Sequence, residues 1–136
     1  MTFYKKIQLK QLGDERGDLV AIEPHIDIPF DIKRVYYIYN LPESTSRGFH
    51  AHKELRQFLV CVSGSCKILI DDGLQKQEIV LNSGSQGLFM DVMMWHEMHD
   101  FTSDCVLLVL CSELYDEGDY IRNYNEFLKL AKTNVK

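Results

Sequence analysis

Turn chemistry punctuates the chain about every dozen residues, and the stretches between the turns are rich in β-branched and aromatic residues, a pattern that commits the chain to an antiparallel β architecture. Runs at 18–22, 33–39, 57–62, 65–70, 77–81, 86–90 and 104–111 read as strands. Ser63-Gly64-Ser65 and Asp71-Asp72-Gly73 carry the glycine and Asx residues of tight hairpins, and Asn82-Ser83-Gly84-Ser85 is a longer loop of the same kind. Only the end differs. Tyr120, Ile121, Tyr124, Phe127, Leu128, Leu130 and Ala131 follow helical spacing, which predicts an amphipathic helix over 119–132 packed on the sheets. With 136 residues there is material for one core and not two, so residues 1–136 read as one all-β domain, a sandwich or barrel.

Composition narrows the function classes. A hydrophobic share of 46% against 26% charged residues suits a folded globular chain and excludes a disordered one. The net charge of −5 argues against a general nucleic-acid binder, which would carry a basic face. No apolar run approaches the roughly 20 residues of a membrane span, and residues 1–17 lack the apolar block of a signal peptide, so a cytoplasmic protein is expected. Cys61, Cys66, Cys105 and Cys111 lie in or beside apolar runs without C-x-x-C spacing, as buried reduced thiols would.

The chemistry concentrates in Arg47-Gly48-Phe49-His50-Ala51-His52-Lys53. On an extended segment His50 and His52 point to the same side, because side chains alternate faces with a period of two. With His96 further on, they offer either metal ligation or proton transfer near neutral pH. Arg47 is close enough in sequence to reach the same mouth, where its planar fork suits an anion. Tyr37 and Tyr39 share one strand face, and on an inward face they could donate a hydrogen bond or stack on a ring, with Tyr36 and Ile38 on the other face.

These residues resemble the first motif of the cupins, in which a histidine-x-histidine pair is followed by a glutamate and a glycine. Here the positions are His50, His52, Gln57 and Gly64, while Gly87 and His96 are similar to the glycine and histidine of the second motif. The resemblance implies a jelly-roll β-barrel with a C-terminal α-helix. Gln57 departs from it: a neutral amide brings no charge to offset the desolvation of a divalent ion, so no metal is expected, although three histidines and a glutamine could still ligate one. Gln57 would then point into the barrel and bond a sugar hydroxyl.

At finer grain, segments 16–23, 33–39, 47–53, 60–66, 95–101 and 115–122 resemble, in order, the sugar 3,4-ketoisomerases that act on dTDP-4-keto-6-deoxy-D-glucose. The resemblance implies a homodimer without metal or organic cofactor that moves a ketone from carbon 4 to carbon 3. The product of such an enzyme feeds 3-amino-3,6-dideoxy sugars of lipopolysaccharide, S-layer glycan or glycosylated natural products. It further implies His52 as the base at carbon 3, His50 as proton relay, and Arg16, Arg34, Tyr37, Tyr39, Arg47, Gln57, His96 and Arg122 around the substrate. The combination of Arg16 with His96 matches the family members that give the galacto product. Alternatives are a cupin epimerase, which relies on a histidine–aspartate dyad with a tyrosine acid not evident in this sequence, a metal-dependent cupin enzyme, and a sugar-binding cupin without turnover.

Overall fold

The computed structural model describes residues 4–133. Its strands, in chain order, are β1 (Lys5–Gln8), β2 (Gln11–Asp14), β3 (Gly17–Val20), β4 (Arg34–Ile38), β5 (Arg47–His52), β6 (Gln57–Ser63), β7 (Cys66–Asp71), β8 (Lys76–Leu81), β9 (Gln86–Met90), β10 (Trp95–His99), β11 (Val106–Cys111) and β12 (Tyr120–Ile121), followed by helix α1 (Tyr124–Thr133). One antiparallel sheet has the order β1-β9-β6-β11-β4 and a second has β12-β5-β10-β7-β8, while β2 and β3 pair only with each other. The two five-stranded sheets are the halves of a cupin-type jelly roll. Among the described residues no helix is long and apolar enough to cross a membrane.

Strand alternation sorts the side chains into three layers. Leu59, Cys61, Leu88, Met90, Leu107 and Val109 from the first sheet meet Cys66, Ile68, Ile79, Leu81 and Met98 from the second in the central core. The alternate residues of the first sheet, Phe58, Val60 and Leu110, face the other way and are covered by Leu9, Ile28 and Phe30. That is why residues 57–61 are buried without interruption although the strand is antiparallel: both its faces are covered. On the outer face of the second sheet, Ala51 and Trp95 receive Ile121, Phe127 and Ala131.

The structure moves the expected helix start from 119 to Tyr124. Asn123 sets the boundary, since its side-chain oxygen accepts from Glu126 N (2.9 Å) as an N-cap does. Tyr120 and Ile121, counted in the helical pattern, instead pair with His52 and Ala51, and residues 117–119 form a short 3₁₀ turn capped by Asp116. Strand β10 carries too many polar residues (Trp-His-Glu-Met-His) to announce itself as a strand, yet it lies mid-sheet between β5 and β7.

Candidate active site

Three imidazoles converge inside the jelly roll. His50 and His52 come from β5 and His96 from β10, directly opposite His50 in the pairing. The ring centroids of His50 lie 4.5 Å from His96 and 4.9 Å from His52. A bulge interrupts the pairing just before His50: His96 pairs with His50 but Glu97 pairs with Gly48, leaving Phe49 as an extra residue. Phe49 (φ 62°) and Gly48 (φ 94°) both take the left-handed backbone conformation that the bulge requires. A Cβ on Gly48 would come within 2.9 Å of the His96 carbonyl oxygen, so glycine is needed there for space as well. The extra residue also resets the alternation. Arg47, an odd number of residues from His50, thereby shares its pocket.

That pocket, about 240 Å³, is lined by Arg34, Tyr36, Ile38, Arg47, Gly48, His50, Met98 and Tyr120. His52 and His96 stand behind His50, at 4% and 1% exposure. His52 Nδ1 is hydrogen-bonded to Asp119 Oδ2 at 3.0 Å. Asp119 is itself held by three backbone N–H groups: Lys53 and Glu54 donate to Oδ1 (3.1 and 2.7 Å) and Leu55 to Oδ2 (3.3 Å). A carboxylate fixed in this way orients the ring it touches. It sets Nδ1 of His52 as the donor and leaves Nε2 as the nitrogen able to accept a proton. Tyr120 packs against both catalytic candidates, its ring 4.8 Å from His50 and 4.4 Å from His52.

The electrostatics keep the imidazoles neutral. Burial first, and then mutual repulsion with a neighbouring imidazole, pushes His52 and His96 well below their ordinary value. Burial also lowers His50, though a backbone hydrogen bond at Gly48 opposes it. Near neutral pH all three are unprotonated and can accept a proton. Arg34 supplies positive charge at the wall, stacked over Tyr36 and Tyr115 (5.4 and 5.6 Å to the centroids). Among the described residues, the buried side-chain nitrogens and oxygens without a hydrogen-bond partner, Arg34 Nε, His50 Nδ1 and His96 Nε2, all belong to this site. Buried polar atoms are seldom left unpaired, and three together mark a place prepared for a ligand.

The remaining candidates distribute unevenly. Tyr37 and Tyr39 point away from the cavity and are 59% and 56% exposed, a correction to their expected inward facing. The reason is parity: Arg34, Tyr36 and Ile38 hold the inner face of β4, so Tyr37 cannot. Gln57 is buried but does not line the pocket; its Nε2 donates to the Tyr36 hydroxyl (3.2 Å). Arg122 sits at the rim, stacked on Tyr120 at 4.2 Å and paired with Glu117. Arg16 lies apart in the β2–β3 hairpin, paired with Asp14 and 86% exposed, in a concavity that shares no residue with the histidine pocket. Asp119, Tyr120 and Tyr36 escaped the sequence reading. A carboxylate 67 residues from its histidine, about half the chain away, announces nothing in sequence, whereas the parity of Arg34 with Tyr36 could have been noticed.

The imidazole nitrogens lie close enough together to ligate a metal ion. The bonds of His52 Nδ1 to Asp119 and of His96 Nδ1 to the Met94 carbonyl leave both Nε2 atoms available, but the set is poor for a hard ion, since Gln57 stands in place of a carboxylate and is turned to Tyr36.

Comparison with known proteins adds to this geometry. The family model described as FdtA, WxcM-like, C-terminal, matches residues 3–132. A TDP-4-oxo-6-deoxy-alpha-D-glucose-3,4-oxoisomerase of Aneurinibacillus thermoaerophilus is 55% identical over 133 residues, 97% of this chain and 96% of that protein. The sugar 3,4-ketoisomerase QdtA of Thermoanaerobacterium thermosaccharolyticum, solved with TDP, is 47% identical with a TM-score of 0.96, covering 100% of each chain. A mutant of that enzyme, solved with TDP-4-keto-6-deoxyglucose, gives 47% identity and a TM-score of 0.95 over 98% of each chain.

Proposed function

This chain belongs to the FdtA family of sugar 3,4-ketoisomerases, and from that premise we propose that it moves the ketone of dTDP-4-keto-6-deoxy-D-glucose from carbon 4 to carbon 3. The observation that carries the reading is the cluster of three imidazoles, one at the pocket wall that Arg34 also lines. The carbon 4 ketone acidifies the carbon 3 hydrogen. Its removal gives an enediolate, and protonation at carbon 4, with one proton passing between the two oxygens, leaves the ketone at carbon 3. A base, a proton donor and a cation for the developing oxyanion suffice.

The family resemblance allots carbon 3 to His52, but the pocket wall favours the opposite division. His50 touches the cavity and exchanges the proton with the sugar carbon; His52, held by Asp119, shuttles protons behind it. Arg34, with its unpartnered Nε, stabilises the enediolate, and Tyr36, whose phenol burial pushes up and so keeps neutral, bonds a sugar oxygen. Arg47 and the rim residue Arg122 suit the diphosphate.

Two copies complete the picture. The β2–β3 hairpin is bonded only to itself and exposes Leu12 and Leu19, while the β4 edge exposes Val35, Tyr37 and Tyr39. A homodimer would cover these surfaces and carry Arg16 of one copy toward the pocket of the other. With His96 behind His50, Arg16 would then set protonation at carbon 4 to give dTDP-3-keto-6-deoxy-D-galactose for an aminotransferase. The four free cysteines fit the reducing cytoplasm.

One observation favours a second reading: the His52–Asp119 pair with Tyr120 beside it has the composition of an epimerase dyad and its acid. Carbon-13 NMR of the incubated sugar nucleotide tests the proposal. The ketone resonance is expected to move from carbon 4 to carbon 3, and to remain at carbon 4 if His50→Asn replaces the wild type. A carbonyl that never leaves carbon 4 in the wild type rejects the reading.

A further inference from the structure

Well away from the histidines lies a second cluster of chemically active side chains. Cys61 on β6, Cys66 at the start of β7 and Cys105 just before β11 are buried to 1%, 1% and 2% exposure and are free thiols. Their three sulfurs lie within 4.8 Å of one another, with Cys61 and Cys105 at 3.6 Å. Along β6, Gln57, bonded to the pocket residue Tyr36, is separated from Cys61 by about 13 Å of strand.

The spacing is that of ligands around one ion. With metal–sulfur bonds of about 2.3 Å, three sulfurs at the corners of a trigonal site stand about 4 Å apart. The group contains only sulfur, and its surroundings, Leu59, Ile68, Leu81, Leu88 and Leu107, are apolar. Among the described residues no fourth ligand joins the group to complete the tetrahedron that zinc prefers, and a soft three-sulfur set selects a soft ion of low coordination number. The site is also closed over. Ser65 N donates to Thr102 Oγ1 (2.9 Å) and Thr102 N to Ser65 O (3.0 Å), which seats the 63–65 turn on the loop carrying Cys105. Gly64 (φ 69°) is pressed so close that a Cβ would come within 2.9 Å of Cys105 Cα.

We propose that Cys61, Cys66 and Cys105 form a trigonal three-sulfur site for copper(I). Each thiol that ligates gives its proton to solvent as its metal–sulfur bond forms, and no oxidation state changes. Affinity therefore rises with pH.

The test is an anaerobic titration of reduced, metal-stripped full-length protein with copper(I) against bathocuproine disulfonate, following sulfur-to-copper charge transfer in the near ultraviolet. About one equivalent per chain is expected, retained by the His50→Asn/His52→Asn variant and weakened at least about 100-fold in Cys66→Ala. Circular dichroism checks the fold of each variant. X-ray absorption of the loaded wild type, which depends on no substitution, is expected to show three sulfur scatterers near 2.3 Å. No charge transfer in the wild type, nitrogen scatterers in place of sulfur, or full binding by folded Cys66→Ala would overturn the proposal.

Discussion

Asp119 is the residue on which the proposed division of labour turns. It accepts three backbone N–H groups and leaves one lone pair for His52, so its purpose is to orient and support that ring. Asp119→Asn should lower kcat roughly 100-fold with little change in KM. The aspartate also raises the basicity of His52 against burial, so its loss should displace the acid limb of the pH–rate profile to lower pH. A purely structural residue would lower activity without moving that limb. Parity makes a second distinction at this scale: Tyr36→Phe should impair turnover about 10-fold, whereas Tyr37→Phe, on the exposed face, should leave a monomer's pocket untouched and kcat within about two-fold. Steady-state kinetics of the two variants checks this.

At the scale of elements, the bulge in β5 decides whether the site exists. A regular strand would place Arg47 on the opposite face from His50, and the left-handed Gly48–Phe49 pair restores it. Gly48→Ala combines an unfavourable φ with a contact of 2.9 Å to His96, so it should cost about 1–3 kcal/mol of stability and most of the activity. Urea unfolding and a turnover assay measure both; a neutral effect on each would remove the bulge from the account. The same element shows what sequence could carry. Alternation revealed that His50 and His52 share a face, because that needs only local spacing. It could not reveal the bulge, which depends on the partner strand, nor the inner face of β4, where tyrosines at 36, 37 and 39 suit either side. The helix start failed for a related reason: Tyr120 and Ile121 are apolar in helical register but are captured by β5.

At the scale of the molecule, the buried neutral histidines make the fold acid-sensitive. His96 is pushed down to about 3 from an ordinary 6.5, and His52 is lowered too, so the unfolded chain binds more protons than the folded one below pH 6.5. Stability is therefore full above that pH and declines as pH falls toward the folded values. Each histidine should cost about 2 kcal/mol at pH 5, about 4 kcal/mol for the pair. Denaturant midpoints at pH 7 and pH 5 measure this, and equal midpoints would mean that the imidazoles are not buried in neutral form. The all-β class was legible from turn chemistry and strand composition, but the strand order was not, nor were β10 and the short β12. The separation of Arg16 from the pocket was not, since a hairpin bonded only to itself is visible only once both sheets are assembled.

In the proposed reaction the imidazole cluster removes a proton at carbon 3 and delivers one to carbon 4 of a 4-keto sugar. Proton NMR of dTDP-4-keto-6-deoxy-D-glucose incubated with the enzyme in deuterated buffer tests it most directly. A 3-keto hexose with deuterium at carbon 4, carbon 5 unchanged, and ring couplings of the galacto series is expected. Deuterium at carbons 3 and 5 with the ketone still at carbon 4 would contradict it and make the His52–Asp119 pair an epimerase dyad.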